Sequence, residues 1–407
     1  MTEFPTRISY AEAAAIIAST AAARRLPVER CALQRAHGRI LATDLTATIA
    51  QPPFDNSAMD GFALRHADLA AEGETVLALA GEQFAGTADQ PAIGPGQCVR
   101  ITTGAPMPTD ADTVVMKENT RVDGNRVHVL GPTTRGRHVR LAGEDTAPGE
   151  RLLQAGDVLT PSRIALCAMQ GLAELDVRRP PTVAVFSTGD ELVEPGMSLG
   201  PGQIYNSNRE LLMGLLRAEG LEPVAWPTLA DDPAHVESSL RHAGNAFDLV
   251  ITCGGVSAGE KDHLPELMQT QGRVLFWKSR LKPGMPVLFA EGGGLGEALF
   301  LCLPGNPVSV LATWLALGRP LVDALQARPP RPKLFARLAT AWSKRHERLE
   351  FLRGRLVRGE DGVLSVEPNP ADGSNRMHAA ADSDALLVLE EGPREYAAGT
   401  AVEVIPY

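Results

Sequence analysis

From residue 182 to about residue 318 the chain repeats one pattern: a short apolar run, a loop, an amphipathic run of helical period, then the next apolar run. Runs at 182–187, 223–228, 248–253, 273–278, 286–290 and 298–303 read as strands; 208–218, 233–243, 264–270 and a long stretch from Pro307 read as helices. Strands joined by helices in this order bury both of their faces as a mostly parallel, doubly wound sheet, because a parallel pair needs a crossover long enough to hold a helix. The alternation therefore predicts an α/β domain over 181–327. In such a sheet the loops beyond the carboxyl ends of the strands converge, and helix N-termini point into the crevice they form.

The flanking segments follow other rules. Ser9 and Glu12 make a capping-box pattern ahead of an Ala- and Ile-rich helix that stops before Pro27. Thr160-Pro161 opens a second helix, and Gly171 ends it. Between residues 51 and 140, β-like runs at 76–80, 113–117 and 126–130 alternate with Gly, Pro and Asp turns, which predicts a β-rich insert. After Pro329-Pro330-Arg331-Pro332 the helical pattern ceases, and runs at 334–339, 349–357, 362–366, 385–389 and 400–405 predict a closing β-barrel or sandwich. The expected fold class is multidomain α/β plus β. A helical linker domain (1–50 with 141–180) and a β-rich inserted domain (51–140) precede the central doubly wound, mostly parallel sheet (181–327), and a C-terminal β-barrel domain (328–407) closes the chain.

A length of 407 residues exceeds what one core commonly serves. The net charge of −10 argues against a general nucleic-acid binder, so an anionic substrate has to meet a local basic patch. The five cysteines are scattered and odd in number, with no Cys-x-x-Cys pair, which fits a reducing compartment and a cytoplasmic location. The longest apolar run, 307–318, is shorter than the roughly 20 residues a bilayer requires, so no membrane span is expected. The Ala-rich start reads as a helix rather than a secretion signal, since Glu3 and Glu12 interrupt it and Arg24-Arg25 closes it.

Chemistry is sought where each strand ends. After the successive strands stand Thr188-Gly189-Asp190-Glu191, Asp231-Asp232-Pro233, the run Gly254-Gly255-Val256-Ser257 through Lys261-Asp262, then Lys278, Arg280 and Lys282-Pro283-Gly284, and finally Pro304-Gly305-Asn306-Pro307. Glycines let backbone N–H groups approach phosphate oxygens, lysines neutralise them, and carboxylates hold Mg²⁺ together with its waters. One rim of this composition predicts a phosphoryl or phosphoanhydride group handled with a divalent metal. A Ser-His-Asp signature, a Gly-x-Gly-x-x-Gly and a Walker-type loop are all missing from the sequence. Plainer roles compete at several positions. Asp232 before Pro233 reads as a helix N-cap, which leaves Asp231 as the better functional candidate. Asp262 also reads as a cap, Asp190 and Glu191 as turn residues, Cys253 and Cys302 as small buried side chains, and Arg135, Arg137, His138 and Arg140 as a solvated loop.

Specific strings go further: Pro53-Phe54-Asp55-Asn56-Ser57-Ala58-Met59-Asp60-Gly61, Thr103-Gly104-Ala105-Pro106, Gly143-Glu144-Asp145, Ser187-Thr188-Gly189-Asp190-Glu191-Leu192, Gly254-Gly255-Val256-Ser257, Lys282-Pro283-Gly284 and Leu303-Pro304-Gly305-Asn306-Pro307. In order and over nearly the full length the chain resembles the MoeA and gephyrin E-domain family of molybdopterin molybdenumtransferases. The resemblance implies an elongated homodimer whose central domain is like the molybdopterin adenylyltransferase fold, with the β-rich insert of one subunit facing the α/β domain of the other. It implies insertion of molybdenum from molybdate into adenylyl-molybdopterin, with Mg²⁺-dependent hydrolysis of the phosphoanhydride and release of AMP. The adenylyltransferase of the same pathway and recipient molybdoenzymes are the implied partners.

Carried over position by position, the resemblance implies catalytic roles for Asp60, Asp145, Glu191, Asp231, Asp262, Lys278 and Lys282. Of these Glu191, Asp231 and Asp262 would hold the metal. The resemblance and the rim together assign substrate binding to Thr103, Arg140, Gly254, Gly255, Ser257, Pro304, Asn306, Pro307, Arg353 and Ser374. Two alternatives stay open: adenylyl transfer to molybdopterin, which would reside in residues 181–327 alone, and a non-catalytic gephyrin-like scaffold, which would bring a second enzymatic domain and a long linker.

Overall fold

A computed structural model of the chain describes residues 4–24, 26–87, 91–229, 232–257, 262–359 and 362–407. At its centre lies a seven-stranded sheet, ordered Thr6–Ile8, Arg273–Ser279, Leu288–Glu291, Leu299–Leu303, Leu249–Cys253, Val183–Ser187 and Val224–Ala225. Only Leu288–Glu291 runs antiparallel to its neighbours. The strands at 183–187, 249–253 and 299–303 are buried at every position, as expected of strands covered on both faces. One face carries the helices Tyr10–Ala23, Ser207–Ala218 and Pro307–Leu325, and the other carries Pro233–Ala246 and Leu264–Thr270.

The first segment joins this sheet rather than the linker unit. Thr6–Ile8 pairs in parallel with Trp277–Ser279, and Ala13, Ile17 and Ala21 of the following helix enter the central core. The physical reason is the apolar stripe that the capping box launches: Ser9 accepts from the backbone N–H of Glu12, and Glu12 accepts from that of Ser9. Its natural partner is the long helix Pro307–Leu325, whose 19 residues are long and apolar enough to cross a membrane but are buried here in the core. That helix widens over Trp314–Gly318, ahead of Pro320, a residue with no N–H to give. The carbonyl of Ala316 instead accepts from the Tyr10 hydroxyl at 3.4 Å.

Three smaller units surround the sheet. Val28–Ala32 pairs with Glu174–Arg178 and Leu45–Thr46 with Arg151–Leu153; with the helix Pro161–Met169 these strands enclose Leu41, Leu153, Leu159 and Val177. The insert is a six-stranded sheet in which Gly61–Leu64, Gln97–Ile101 and Thr120–Asp123 join the three expected strands. Gly61–Leu64 is buried at all four positions, so it shows none of the alternation by which a half-exposed strand is recognised. In the C-terminal unit Leu349–Arg358, Leu364–Pro368, Leu334–Leu338, Ala401–Pro406 and Ala385–Leu389 close into a five-stranded barrel. A short helix, Met377–Ala381, interrupts the expected run of strands.

One glycine shows how tightly the layers meet. At Gly244, in the helix Pro233–Ala246, an added Cβ would lie 2.1 Å from the carbonyl oxygen of Leu295 and 3.1 Å from Phe300 Cζ. Alanine in a helix interior is normally worth about 1 kcal/mol more than glycine. Here the clash reverses the sign: Gly244→Ala is expected to destabilise by about 1–3 kcal/mol in urea unfolding. An unchanged or higher midpoint would contradict this packing.

Candidate active site at the carboxyl edge of the sheet

The direction of strand addition reverses between Val183–Ser187 and Leu249–Cys253: the first leads outward to Val224–Ala225, the second back across the sheet. A reversal of this kind opens a crevice beyond the strand ends. Here it is an open cleft of about 530 Å³, lined by Thr188, Gly189, Glu191, Gly254, Gly255, Ser257, Asp262, Pro304 and Pro307 with neighbouring residues.

Two loops interlock at its floor. Thr188 N–H donates to the carbonyl of Cys253 at 3.1 Å, and Gly254 N–H donates to that of Leu303 at 3.1 Å. Gly254 and Gly255 both have positive φ, and a Cβ on either would come within 2.7 and 2.9 Å of Thr188 Oγ1. Only glycine permits this approach. At Gly189 a Cβ would stand 2.5 Å from Glu191 Oε2, so the missing side chain lets the carboxylate fold over the turn. Glu191 and Asp262 thus line one cleft beside a glycine loop, without Lys278 and Lys282 of the expected rim.

Below the floor lies a buried polar group that sequence reading passed over. Asn206 caps the helix Ser207–Ala218 by accepting from Arg209 N–H, accepts from Ser187 Oγ at 3.0 Å, and donates to Thr228 Oγ1 at 3.3 Å. The Cys253 thiol touches Ser187 Oγ at 3.2 Å and donates to the carbonyl of Phe186 at 3.3 Å. Burial pushes this thiol up to about 11, and that of Cys302 up to about 12, so neither is a nucleophile at neutral pH. Asn208 Nδ2 donates to the carbonyl of Gly305 at 2.6 Å and ties the Pro304-Gly305 turn to the same helix. The signal for these residues was the Asn-Ser-Asn run at a helix start.

Other expected site residues lie elsewhere. Asp231 falls outside the described residues, and Asp232 is the N-cap, accepting from Ala234 N–H at 3.2 Å. Lys278 is not among the residues lining the cleft; its Nζ sits 4.1 Å from the centre of the Trp277 ring, and Trp277 Nε1 donates to the carbonyl of Val256. Lys282, expected to hold oxyanions, pairs instead with Glu350 at 2.9 Å and Asp372 at 3.0 Å, both from the C-terminal unit. The cause is the parallel pairing of Leu281–Lys282 with Leu349–Glu350. Arg353 is buried and donates to the carbonyls of Ala371 and Gly373, so it shapes the loop that carries Asp372 and Ser374. Asn306 donates to Ser374 Oγ at 3.0 Å, docking that loop at the start of the helix Pro307–Leu325.

In the insert, Asp60 accepts from Thr103 N–H at 2.8 Å and from its hydroxyl at 2.9 Å, and these bonds, the backbone one foremost, hold its carboxyl below the usual range. The strings 51–60, 103–106 and 139–146 are knit together: Arg140 pairs with Asn56, Gly104 N–H donates to Ser57, and Asp145 N–H donates to Gln51. Within one chain none of Asp60, Thr103, Arg140 and Asp145 lines the cleft. Asp60 opens on a second hollow of about 380 Å³ with Arg100 and Lys117.

Three family models tile the chain: the MoeA N-terminal region (domain I and II) over residues 8–171, a probable molybdopterin binding domain over 184–324, and the MoeA C-terminal region (domain IV) over 336–407. A molybdopterin molybdenumtransferase of Haemophilus influenzae is 38% identical over 379 residues, covering 92% of this chain and 93% of the relative. The chain belongs to the MoeA family of molybdopterin molybdenumtransferases. Another MoeA-family relative, molybdopterin molybdenumtransferase 2 of Mycobacterium tuberculosis, is 37% identical over 384 residues, covering 91% of this chain and 93% of its own. The crystal structure of a molybdopterin biosynthesis moeA protein from Pyrococcus horikoshii superposes with a TM-score of 0.83 at 26% identity, over 98% of this chain and all of that one. MoeA-family membership also accounts for the shared architecture of sheet, insert and closing barrel.

The Lys282 contacts carry a pH dependence. Asp372 is held below its ordinary value of 3.8, chiefly by the Lys282 hydrogen bond. Burial alone would lower Lys282, but its bonds to Glu350 and Asp372 outweigh that and raise it above 10.5. A lowered carboxylate stabilises above its unfolded value and loses that contribution as pH falls through the folded one; a raised lysine loses its contribution as pH rises past 10.5. Asp372→Asn should therefore lower the free energy of unfolding between about pH 5 and 9, by no more than about 1 kcal/mol for so exposed a pair, and the difference should shrink below pH 4. An equal difference at pH 3.5 and pH 7 would contradict the pairing.

Proposed function

We propose that this enzyme of molybdenum cofactor biosynthesis transfers molybdenum from molybdate to adenylyl-molybdopterin, hydrolysing the phosphoanhydride and releasing AMP. The observation that carries this reading is the meeting of Glu191, Asp262 and the Gly254-Gly255 loop in one cleft. Their chemistry matches a pyrophosphate: backbone N–H groups for its oxygens and carboxylates for a hard cation.

The donor set fits Mg²⁺. Among the described residues no group of three or more His, Cys, Asp or Glu side chains gathers as a closed metal cage. Mg²⁺ commonly uses one or two carboxylates and fills its other positions with water and substrate phosphates. Glu191 and Asp262 are the residues that would hold it, with Asp231 as the remaining candidate. When bound it supplies charge screening to the phosphoanhydride. The chain itself grips the phosphates with the glycine loop and sets the two carboxylates in the same cleft, while Lys278, resting on Trp277, adds positive charge near the Val256 edge.

The reading includes a homodimer in which Asp60, Thr103, Arg140 and Asp145 of a second copy complete the cleft, since none of them lines it within one chain. Adenylyl transfer by residues 181–327 alone is less well supported: Thr6–Ile8 is a strand of the sheet, and Ala13, Ile17 and Ala21 fill its core.

In an assay with adenylyl-molybdopterin, Mg²⁺ and molybdate, AMP should be released and should fall about 100-fold in Asp262→Ala, the scale of removing one preorganised electrostatic group. Undiminished release from a folded variant removes Asp262 from the mechanism. Sharing of the site is tested by mixing Asp60→Ala and Asp262→Ala chains, each inactive alone. Random reassociation should restore about a quarter of the native rate if each site draws on both subunits of a symmetric pair. No restoration would place all of these residues in one subunit's site.

A further inference from the structure

The cleft has a second wall, of different character. Beside Glu191 it is lined by Leu192, Ile204 and Tyr205, and the last two are 55% and 44% exposed. Exposed apolar side chains scattered singly over a surface need no explanation, but contiguous ones inside a cleft mark a place where apolar surface is covered by something. None of the site residues taken from the sequence belongs to this wall.

Its geometry is held in place from both sides. Leu192–Val193 pairs in parallel with Ile204–Tyr205. The Tyr205 hydroxyl donates to the carbonyl of Met197 at 3.0 Å, which fixes the ring at its far end while leaving its face half uncovered. Ile204 N–H donates to the carbonyl of Glu191 at 2.9 Å, so the wall and the acidic turn are one rigid piece. Tyr205 is also followed directly by Asn206, the buried cap beneath the floor. A phosphate-binding floor with a rigid aromatic and aliphatic flank has the two surfaces that a phosphorylated flat ring requires: charge and backbone donors for one end, an apolar plane for the other.

We infer that the Leu192, Ile204 and Tyr205 wall binds the flat fused-ring heterocycle of the substrate, with Tyr205 as the residue on which the ring stacks. The inference rests on the proposed function and extends it to a ring-binding subsite. Both ends of an adenylylated pterin carry a fused ring of this kind, and stacking reads the π-face they share, so the two sources are separated by experiment.

The full-length protein and its Tyr205→Phe, Tyr205→Leu and Tyr205→Ala variants, each checked for native circular dichroism, are titrated calorimetrically with AMP and, separately, with neopterin. Loss of a stacking partner should weaken binding of one of the two ligands roughly tenfold in Tyr205→Ala and Tyr205→Leu, while Tyr205→Phe stays within about threefold of native. Weakening confined to AMP assigns the wall to adenine; weakening confined to neopterin assigns it to the pterin. If Tyr205→Ala and Tyr205→Leu bind both as tightly as native, the wall proposal is wrong and the proposed function stands. If Tyr205→Phe loses as much as Tyr205→Ala, the Met197 tether and not the ring face is responsible, and stacking is overturned. Native protein that binds neither AMP nor neopterin would overturn the functional reading itself, and the wall with it.

Discussion

The close approach of Thr188 to Gly254 and Gly255 is the contact on which the cleft depends. It arises from elementary constraints: two adjacent parallel strands end together, their next backbone groups bond across the gap, and any side chain at either glycine would collide with the threonine. The result is a floor of backbone with both glycines in the left-handed region, where other residues are strained. Glu191 and Asp262 line the cleft above this floor. The buried Ser187, Asn206 and Cys253 group beneath fixes the floor from below, and the thiol there serves as a hydrogen-bonding group held protonated by its burial.

Charge is distributed less simply than composition implies. Lys278, near the end of the strand Arg273–Ser279, and Lys282, just beyond it, are not loose cations at the cleft: the first rests on an indole, and the second is neutralised by two carboxylates of the barrel. Lys282, Arg353, Asn306 and Ser374 form a seam between the α/β unit and the barrel, through which the Asp372 loop reaches the helix beside Pro304. The seam couples a residue expected to bind oxyanions to a domain remote in sequence. Removing the barrel would take from Lys282 its two carboxylate partners, and from the start of the Pro307–Leu325 helix the Ser374 carbonyl that accepts from Val308 N–H at 3.3 Å.

The central sheet was legible because its inner strands are short, mostly apolar and buried throughout, and because its helices carry clear starts, as at Asp232-Pro233 and Asn306-Pro307. The rim was legible for a related reason: parallel strands all end at one edge, so Glu191, Gly254 and Asp262 group from strand order alone. What escaped reading depends on contacts between segments distant in the chain. Thr6–Ile8 is three residues long and becomes a strand only because Trp277–Ser279 offers it an edge. Lys282 looks like an anion ligand until Glu350, 68 positions later in the numbering, is brought beside it. Asn206 gives only the weak signal of a capping residue, and its second role, bonding Ser187 under the cleft, is a property of the folded sheet.

The proposed function requires the carboxyl edge of the sheet, with Glu191 and Asp262 beside the Gly254-Gly255 loop, to hold phosphate and cation. A crystal structure of the full chain soaked with Mn²⁺ and AMP, with anomalous scattering to locate the metal, tests it most directly. A Mn²⁺ peak is expected at about 2.0–2.3 Å from a carboxylate oxygen of Glu191 or Asp262, with the AMP phosphate on the glycine loop. Mn²⁺ and AMP bound instead in the apolar hollow between the helix Tyr10–Ala23 and the barrel, near Arg319 and Arg331, would contradict it.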